Sequence, residues 1–245
     1  MKKVKQVLLA ADYGQVEARV IACASKDKKF VDALWNNLDI HMEYAEFIAE
    51  IDPDCFERFA DGDMKEFRSI IKNKMVFPTF YGSSLKSIAR GLGLADHDAA
   101  YIEKRFWSDF PGVKRWHAEV WDQYSEFGYV DGLTGRRHRG PSSKNQVINV
   151  PIQGAASDIT VDAADRLKDL SFDLELPWIC PAINVHDDLT FVVPEPEVDE
   201  AIDIIVTEML TFKADWLIVP LQVELEEGPD WYDMSEVGVY NSTEL

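Results

Sequence analysis

Two apolar stretches that each run into aspartate constrain this chain more than any other feature. Val7 to Ala11 has the pattern of a short buried strand and ends at Asp12, with a helical pattern following from about Gln15 to Ser25. Ile179 to Val193 carries two β-rich runs on either side of His186-Asp187-Asp188, as in a hairpin with carboxylates near its tip. Strand interiors disfavour Asp, and neighbouring acids repel, so these positions cost stability unless solvent or a cation compensates. The ordinary reading of each is local: an Asp ahead of a helix is a cap, and an Asp pair between strands is turn chemistry. If the two strands are neighbours, however, Asp12 and Asp187 meet across them and form a site for a divalent metal.

Between these stretches the pattern from about Asp27 to Phe127 is mostly helical, with breaks at Asp52-Pro53, Asp61-Gly62, Gly91 to Gly93 and Pro111-Gly112. It reads as a helical insertion. Gly128 to Pro141 is glycine-rich and basic, and Val147 to Leu170 resumes a helix that contains Pro151. Beyond the hairpin come a turn over Pro194 to Val198, a helix over Asp199 to Ala214, and a last strand over Leu221 to Leu225.

Charge argues against one class of partner: 44 acidic against 25 basic residues give a formal net charge of -19, whereas nucleic-acid phosphates need cations. The distribution is uneven. Basic residues collect at Lys65 to Lys74, Lys86 to Arg90, Lys104 to Arg115 and Arg136 to Lys144, and acid dominates the last fifty residues, so a positive groove on a negative body remains open. Cys23, Cys55 and Cys180 are odd in number and widely spaced, which suggests reduced thiols rather than a disulfide framework or structural zinc. No run approaches the roughly 18 apolar residues of a membrane span, and the N-terminus lacks a secretory cleavage pattern. The expected location is cytoplasmic, the host cytoplasm for a viral source, without membrane association.

The segment DGDMKEFRSIIKNKMVFPTFYGSS opens with Asp63 as a helix cap and Glu66 three residues on. Arg68 and Lys72 stand four apart and share a face, as do Phe77 and Tyr81. Stacked cations suit an anion, although a solvated face is the ordinary reading of the charges, and core packing that of the aromatics.

Taken in order, these segments resemble the polymerase motifs of family A (Pol I-like) DNA polymerases. DYGQVEARV resembles motif A, RSIIKNKMVFPTFYG motif B and VHDDLTFVV motif C. LDIHMEYA is similar to the segment carrying a phosphate-contacting His, NVPIQGAASDI to the palm helix bearing a primer-template Gln, and EEGPDW to the C-terminal strand and tail. The resemblance implies an α+β fold: a palm with an antiparallel sheet, over about residues 1–24 and 147–245, and an all-helical fingers subdomain over 25–146.

It also implies DNA-directed DNA synthesis by two-metal phosphoryl transfer. Asp12 and Asp187 would hold two Mg2+ ions, with Tyr13 in the metal set and Asp188 as an auxiliary acid. Arg68, Lys72 and His41 would hold the phosphates of the incoming deoxynucleoside triphosphate, and Lys72 would protonate the leaving pyrophosphate. Phe77 and Tyr81 would line the nucleotide pocket beside Tyr13 and Gln15, and Glu17 would fill the space of a ribose 2'-hydroxyl. Primer-template DNA would meet Gln153, Asn149 and His186, with Arg136, Arg137 and Arg139 on its phosphates; an exposed arginine loop could equally be a solubilising turn.

Three departures stand out. Arg68 to Tyr81 is one residue longer than the family's usual spacing, which on an ideal helix at about 100° per residue turns Phe77 and Tyr81 away from Arg68 and Lys72. A π-bulge or a kink before Pro78 would absorb the difference, and it leaves open which of Lys72, Asn73 and Lys74 reaches the phosphates. Motif C carries Asp188 where the family usually has Glu. The thumb and any 3'-5' exonuclease, which precede motif A in the family, are not found, so a second polypeptide is expected to supply them, as in a split polymerase such as a viral one, with a truncated chain as the competing explanation. The alternatives are a catalytically silent polymerase-like binding subunit and a relative of single-subunit RNA polymerases, against which Glu17 and Asp188 argue; a reverse transcriptase would have Tyr in place of His186.

Overall fold

The structure is a computed structural model that describes residues 4–140 and 142–243. Residues 1–3, which open the first expected palm segment, and Pro141, which closes the glycine-rich basic stretch, lie outside the described residues. The chain divides into two compact units, residues 1–20 with 153–245, and residues 21–152.

The first unit is built on a five-stranded antiparallel sheet. Strand β1 is Gln6–Tyr13, and helix α1, Val16–Ser25, follows it directly. The alternation of β1 turns Val7, Leu9, Ala11 and Tyr13 inward, leaving Leu8, Ala10 and Asp12 on the other, half-exposed face.

The second unit is largely helical. It contains α2 (Lys28–Trp35), α3 (Ile40–Ile51), α4 (Pro53–Ala60), α5 (Met64–Ile71), a π-helix over Lys72–Val76, α6 (Phe77–Phe80), α7 (Leu85–Gly91), α8 (Asp96–Asp109) and α9 (Pro111–Phe127). Aspartates start several of these by accepting orphan main-chain N–H groups: Asp39 from Met42, Asp52 from Cys55, and Asp63 from Lys65 and Glu66. Asp27 serves two helices, accepting from the Phe30 N–H of α2 and, at 2.6 Å, from the Gly112 N–H in the first turn of α9. A Cβ at residue 112 would stand 2.8 Å from the Asp27 backbone, so only glycine permits that double cap. Around it lies an aromatic core in which Phe80 stacks on Phe30 at 4.6 Å and meets Phe106 and Phe110 at 5.2 and 5.0 Å. The glycine-rich basic stretch holds a short hairpin, β2 (Tyr129–Asp131) with β3 (Arg137–Arg139).

Helix α10, Lys144–Asp173, contains Pro151, which cannot donate to the Val147 carbonyl. In the first unit its Ala155, Ile159, Ala163 and Leu167 form a buried stripe at helical spacing. Strands β4 (Ile183–Val185) and β5 (Asp188–Pro194), helix α11 (Val198–Leu210) and strands β6 (Gln222–Gly228) and β7 (Ser235–Asn241) complete the sheet in the order β4-β5-β1-β6-β7. Leu9, Phe191 and Leu225 are fully buried on its inner face, where each contributes about 1.5–3 kcal/mol. The expectation of a last strand at Leu221–Leu225 is corrected: β7 follows it, paired to β6 across a register shift at Leu225/Glu226. As an edge strand whose residues are exposed or half-exposed, β7 is held mainly by its main-chain pairing and shows little of the apolar alternation that marks a strand in sequence. Among the described residues no helix is long and apolar enough to cross a membrane.

Candidate active-site residues

In the first unit the two aspartate motifs meet. Strand β1 lies between β5 and β6, and its register pairs Asp12 with Asp188 on one side and with Glu224 on the other. Directly paired residues share a sheet face, so three carboxylates stand in a row on the half-exposed side. Val185 pairs with Asp188, leaving His186 and Asp187 as the two-residue hairpin connection. His186 adopts φ 59°, a left-handed conformation that costs a non-glycine residue on the order of 1 kcal/mol. The tight turn brings the Asp187 main chain to the end of β1, where its carbonyl accepts from the Tyr13 N–H at 3.3 Å, and its carboxyl lies within hydrogen-bonding reach of Asp12.

Two carboxyls that close share a proton or need a cation. Burial, and then the charges of Asp187, Asp188 and Glu224, push the Asp12 carboxyl up to about 7. Burial also raises Asp188, partly offset by the Thr190 hydroxyl, which donates to it at 2.8 Å. The charges that act most strongly on Asp12 are all negative. Among the described residues no three or more His, Cys, Asp or Glu side chains converge as a metal cage. The donor set is instead the Asp12–Asp187 pair, which fits magnesium, a hard ion that usually takes one or two carboxylates and completes its shell with water and phosphate oxygen.

The turn after Asp12 is clamped from below. Arg19, buried in α1, donates to the Gly14 carbonyl at 2.7 Å, the Pro220 carbonyl at 2.5 Å and the Gln222 side chain at 2.8 Å. A Cβ at residue 14 would meet Gln222 at 2.7 Å, and Gln15 is exposed with φ 54°. The Tyr13 side chain points into the core, where its hydroxyl donates to the Met209 carbonyl at 2.6 Å, leaving only its main chain for a metal or nucleotide. A cavity of about 480 Å³ beside the acids is lined by Val16, Glu17, Gln153, Ala156, Ser157, His186 and Asp187. It brings together Glu17, Gln153, His186 and Asp187, which the sequence singles out at three separate positions.

In the second unit the cations and aromatics of motif B gather around His41. The π-helix over Lys72–Val76 lies between Arg68 and Phe77 and takes up the additional residue. Arg68 donates to Asp39 at 2.5 Å, and Lys72 lies over the Phe77 ring at 5.3 Å. The Phe77 ring meets His41 edge-on at 4.9 Å and Tyr81 at 6.1 Å. Burial, then Arg68 and Lys72, hold the His41 imidazole down near 4, and its Nδ1 is buried without a hydrogen-bond partner. Lys74 points elsewhere, over the Phe59 ring at 5.0 Å. Of the two lysines left open by the longer spacing, Lys72 is the one that acts with Arg68 on His41.

On the β2–β3 hairpin, Arg137 grips Asp131 with two hydrogen bonds, at 2.7 and 3.0 Å, and stacks on Tyr129 at 3.8 Å. Much of its donor capacity is already used. Asn149 has a buried side-chain oxygen without a partner, and Gln153 is exposed. Glu224, Asp39 and Arg19 are absent from the sequence-derived site: Glu224 is an ordinary outward position in the alternating run LQVELEEG, and only the strand register sets it beside Asp12.

The chain is also similar to known proteins. The chain is 31% identical over 94% of its length to DNA polymerase I of Chloroflexus aurantiacus, and 32% identical over 93% to that of Bacillus subtilis. It covers 24% and 26% of those proteins, so the chain spans about a quarter of the length of the curated relatives it matches. Among solved structures, the POL domain of Pol1 from M. smegmatis, in complex with DNA primer-template and dNTP, superimposes with a TM-score of 0.77 at 27% identity, covering 94% of this chain and 41% of that one. The profile of DNA polymerase family A matches residues 1–233, and on that match the chain belongs to DNA polymerase family A.

Proposed function

We propose that this chain is the catalytic portion of a DNA-directed DNA polymerase, adding deoxynucleotides to a primer 3'-hydroxyl. The observation that carries the reading is the Asp12–Asp187 pair, half-buried and crowded by the further acids Asp188 and Glu224. Magnesium ions bound there would activate the 3'-hydroxyl and neutralise charge on the triphosphate. The chain's own residues divide the remaining work. Asp12 and Asp187 hold the metal, with Asp188 and Glu224 adding negative charge from the flanking strands. Arg68 and Lys72 bind phosphate oxygens, and Lys72 supplies the proton that leaves with pyrophosphate. His41, kept neutral by burial and by those cations, stands beside them at the phosphates. Phe77 and Tyr81 line the nucleotide pocket, and Glu17 occupies the space of a 2'-hydroxyl. Gln153, Asn149 and His186 contact primer-template DNA, Arg136 and Arg139 its phosphates. On this reading residues 1–24 and 147–245 act as palm and 25–146 as fingers.

The net charge of -19 suits weak duplex binding by these residues alone. The grip on duplex, and any 3'-5' exonuclease, would come from further polypeptide. Primer extension with magnesium and four deoxynucleotides, with and without a thumb-bearing chain, tests both parts. Extension that is lost in Asp187→Asn supports the polymerase, and its dependence on the added chain supports the need for further polypeptide. No extension under either condition would favour a silent binding subunit, and equal use of ribonucleotides would overturn the role of Glu17.

A further inference from the structure

His117 belongs to no motif, yet it touches the main chain beside the nucleotide-pocket tyrosine. It stands on α9, 7% exposed, between the rings of Trp107 and Trp116, whose centroids lie 5.8 and 5.5 Å away. Its Nε2 is 2.8 Å from the Phe80 carbonyl. A carbonyl only accepts, so Nε2 carries the proton. Burial, opposed by that hydrogen bond and aided by Lys144, holds the imidazole near 4, so a neutral ring with a fixed tautomer is the stable form.

The Phe80 carbonyl belongs to the same planar peptide group as the Tyr81 N–H. That N–H donates to the Phe77 carbonyl at 2.9 Å. The peptide group is thus held at both ends, by His117 on its oxygen and by Phe77 on its nitrogen. The Phe80 ring is locked as well, stacked on Phe30 at 4.6 Å. Rotation of this peptide plane would change φ of Tyr81, now -86°, and swing its ring. Just upstream, the π-helix over Lys72–Val76 interrupts the regular α-helical hydrogen-bond ladder, so the segment that ends at Tyr81 is held from outside by His117.

We propose that His117 is a positioning residue for Tyr81, fixing the Phe80–Tyr81 peptide so that the tyrosine ring is set for the incoming nucleotide before it binds. The proposal rests on the reading of Tyr81 as a nucleotide-pocket residue.

The test is an NMR titration of the chain with magnesium dATP, following backbone amides, together with hydrogen exchange at the Tyr81 amide. It compares wild type, His117→Leu, His117→Gln and Tyr81→Ala, each checked for its melting temperature. His117→Leu leaves a buried carbonyl unpaired and is expected to weaken nucleotide binding by about fivefold to tenfold. It should also speed exchange at Tyr81 while the amides of the aromatic core stay protected. His117→Gln, which keeps an N–H of similar reach, should restore most of both. Weakening in Tyr81→Ala with none in His117→Leu overturns the proposal, as does a loss that His117→Gln fails to rescue. If Tyr81→Ala binds as wild type does, the pocket reading itself fails, and this proposal with it. Should His117→Leu not fold, the Gln and Tyr81 variants decide: slow Tyr81 exchange that is the same in His117→Gln supports the anchor, and faster exchange there overturns it.

Discussion

The sheet unit and the helical unit each collect like charge at the residues assigned to chemistry, with opposite sign and by different means. On the sheet, strand register does the collecting: Asp188, Asp12 and Glu224 occupy neighbouring strands at one level, and the hairpin turn adds Asp187. Among the helices, the i,i+4 spacing stacks Arg68 and Lys72, and both act on buried His41. The consequences for protonation are mirror images. Burial, then crowded acids, drives Asp12 to hold its proton, and burial, then crowded cations, drives His41 to lose its own. The sheet cluster has the character of a cation site, whereas among the helices Arg68 already pairs with Asp39 at 2.5 Å. Elsewhere the protein pairs its charges, as in the Lys29, Glu43, Arg105 and Asp109 network of the helical unit.

The largest effect should come from removing charge on the sheet. Asp187→Asn is expected to lower the primer-extension rate by at least about a hundredfold, with the fold intact by circular dichroism. A mild effect would break the comparison, because the acid cluster would then be structural. Among the helices, Lys72→Ala should lower kcat/KM for deoxynucleotide by about tenfold to a hundredfold, as lost hydrogen bonds to a charged group do, and Lys74→Ala should leave it near wild type. Equal losses would show that the π-helix does not select Lys72.

The two clusters should also respond oppositely to pH in metal-free buffer. Asp12 has a folded pKa near 7, above its unfolded value, so the folded state binds the extra proton and stability falls as pH rises from about 4 to 7. His41 is depressed to near 4, so its contribution is full above about 6.5 and is lost as pH falls toward 4. Thermal melts of Asp12→Asn and His41→Asn should each lose one of these slopes, and magnesium should cancel the first. The smallest effect is expected at Arg137, already committed to Asp131 and Tyr129. Arg137→Ala should leave the salt dependence of DNA binding unchanged, whereas a slope reduced by about one would place it on a phosphate.

Much of the sheet and its acids was legible in sequence because each signal is local. A strand that must bury one face alternates, as Val7, Leu9 and Ala11 do, and an Asp at its end marks where burial stops. The helix caps were legible on the same ground: Asp63 and Glu66 read as a start, and Asp63 does accept from Lys65 and Glu66. Strand β7 was not, since an edge strand is recruited by a neighbour's backbone and needs little apolar pattern.

By itself the sequence determined which side chains carry charge and aromatic surface and where helices and strands begin, because propensity, periodicity and capping act over a few residues. It also determined that the spacing in motif B is one residue long. Only the tertiary structure decided how that residue is absorbed, by a π-helix that leaves Lys72 with Arg68 and turns Lys74 to Phe59. It alone set Glu224 beside Asp12 and His117 against the Phe80 carbonyl, contacts between residues far apart in the chain. Such contacts depend on register and packing, which no local run of residues encodes.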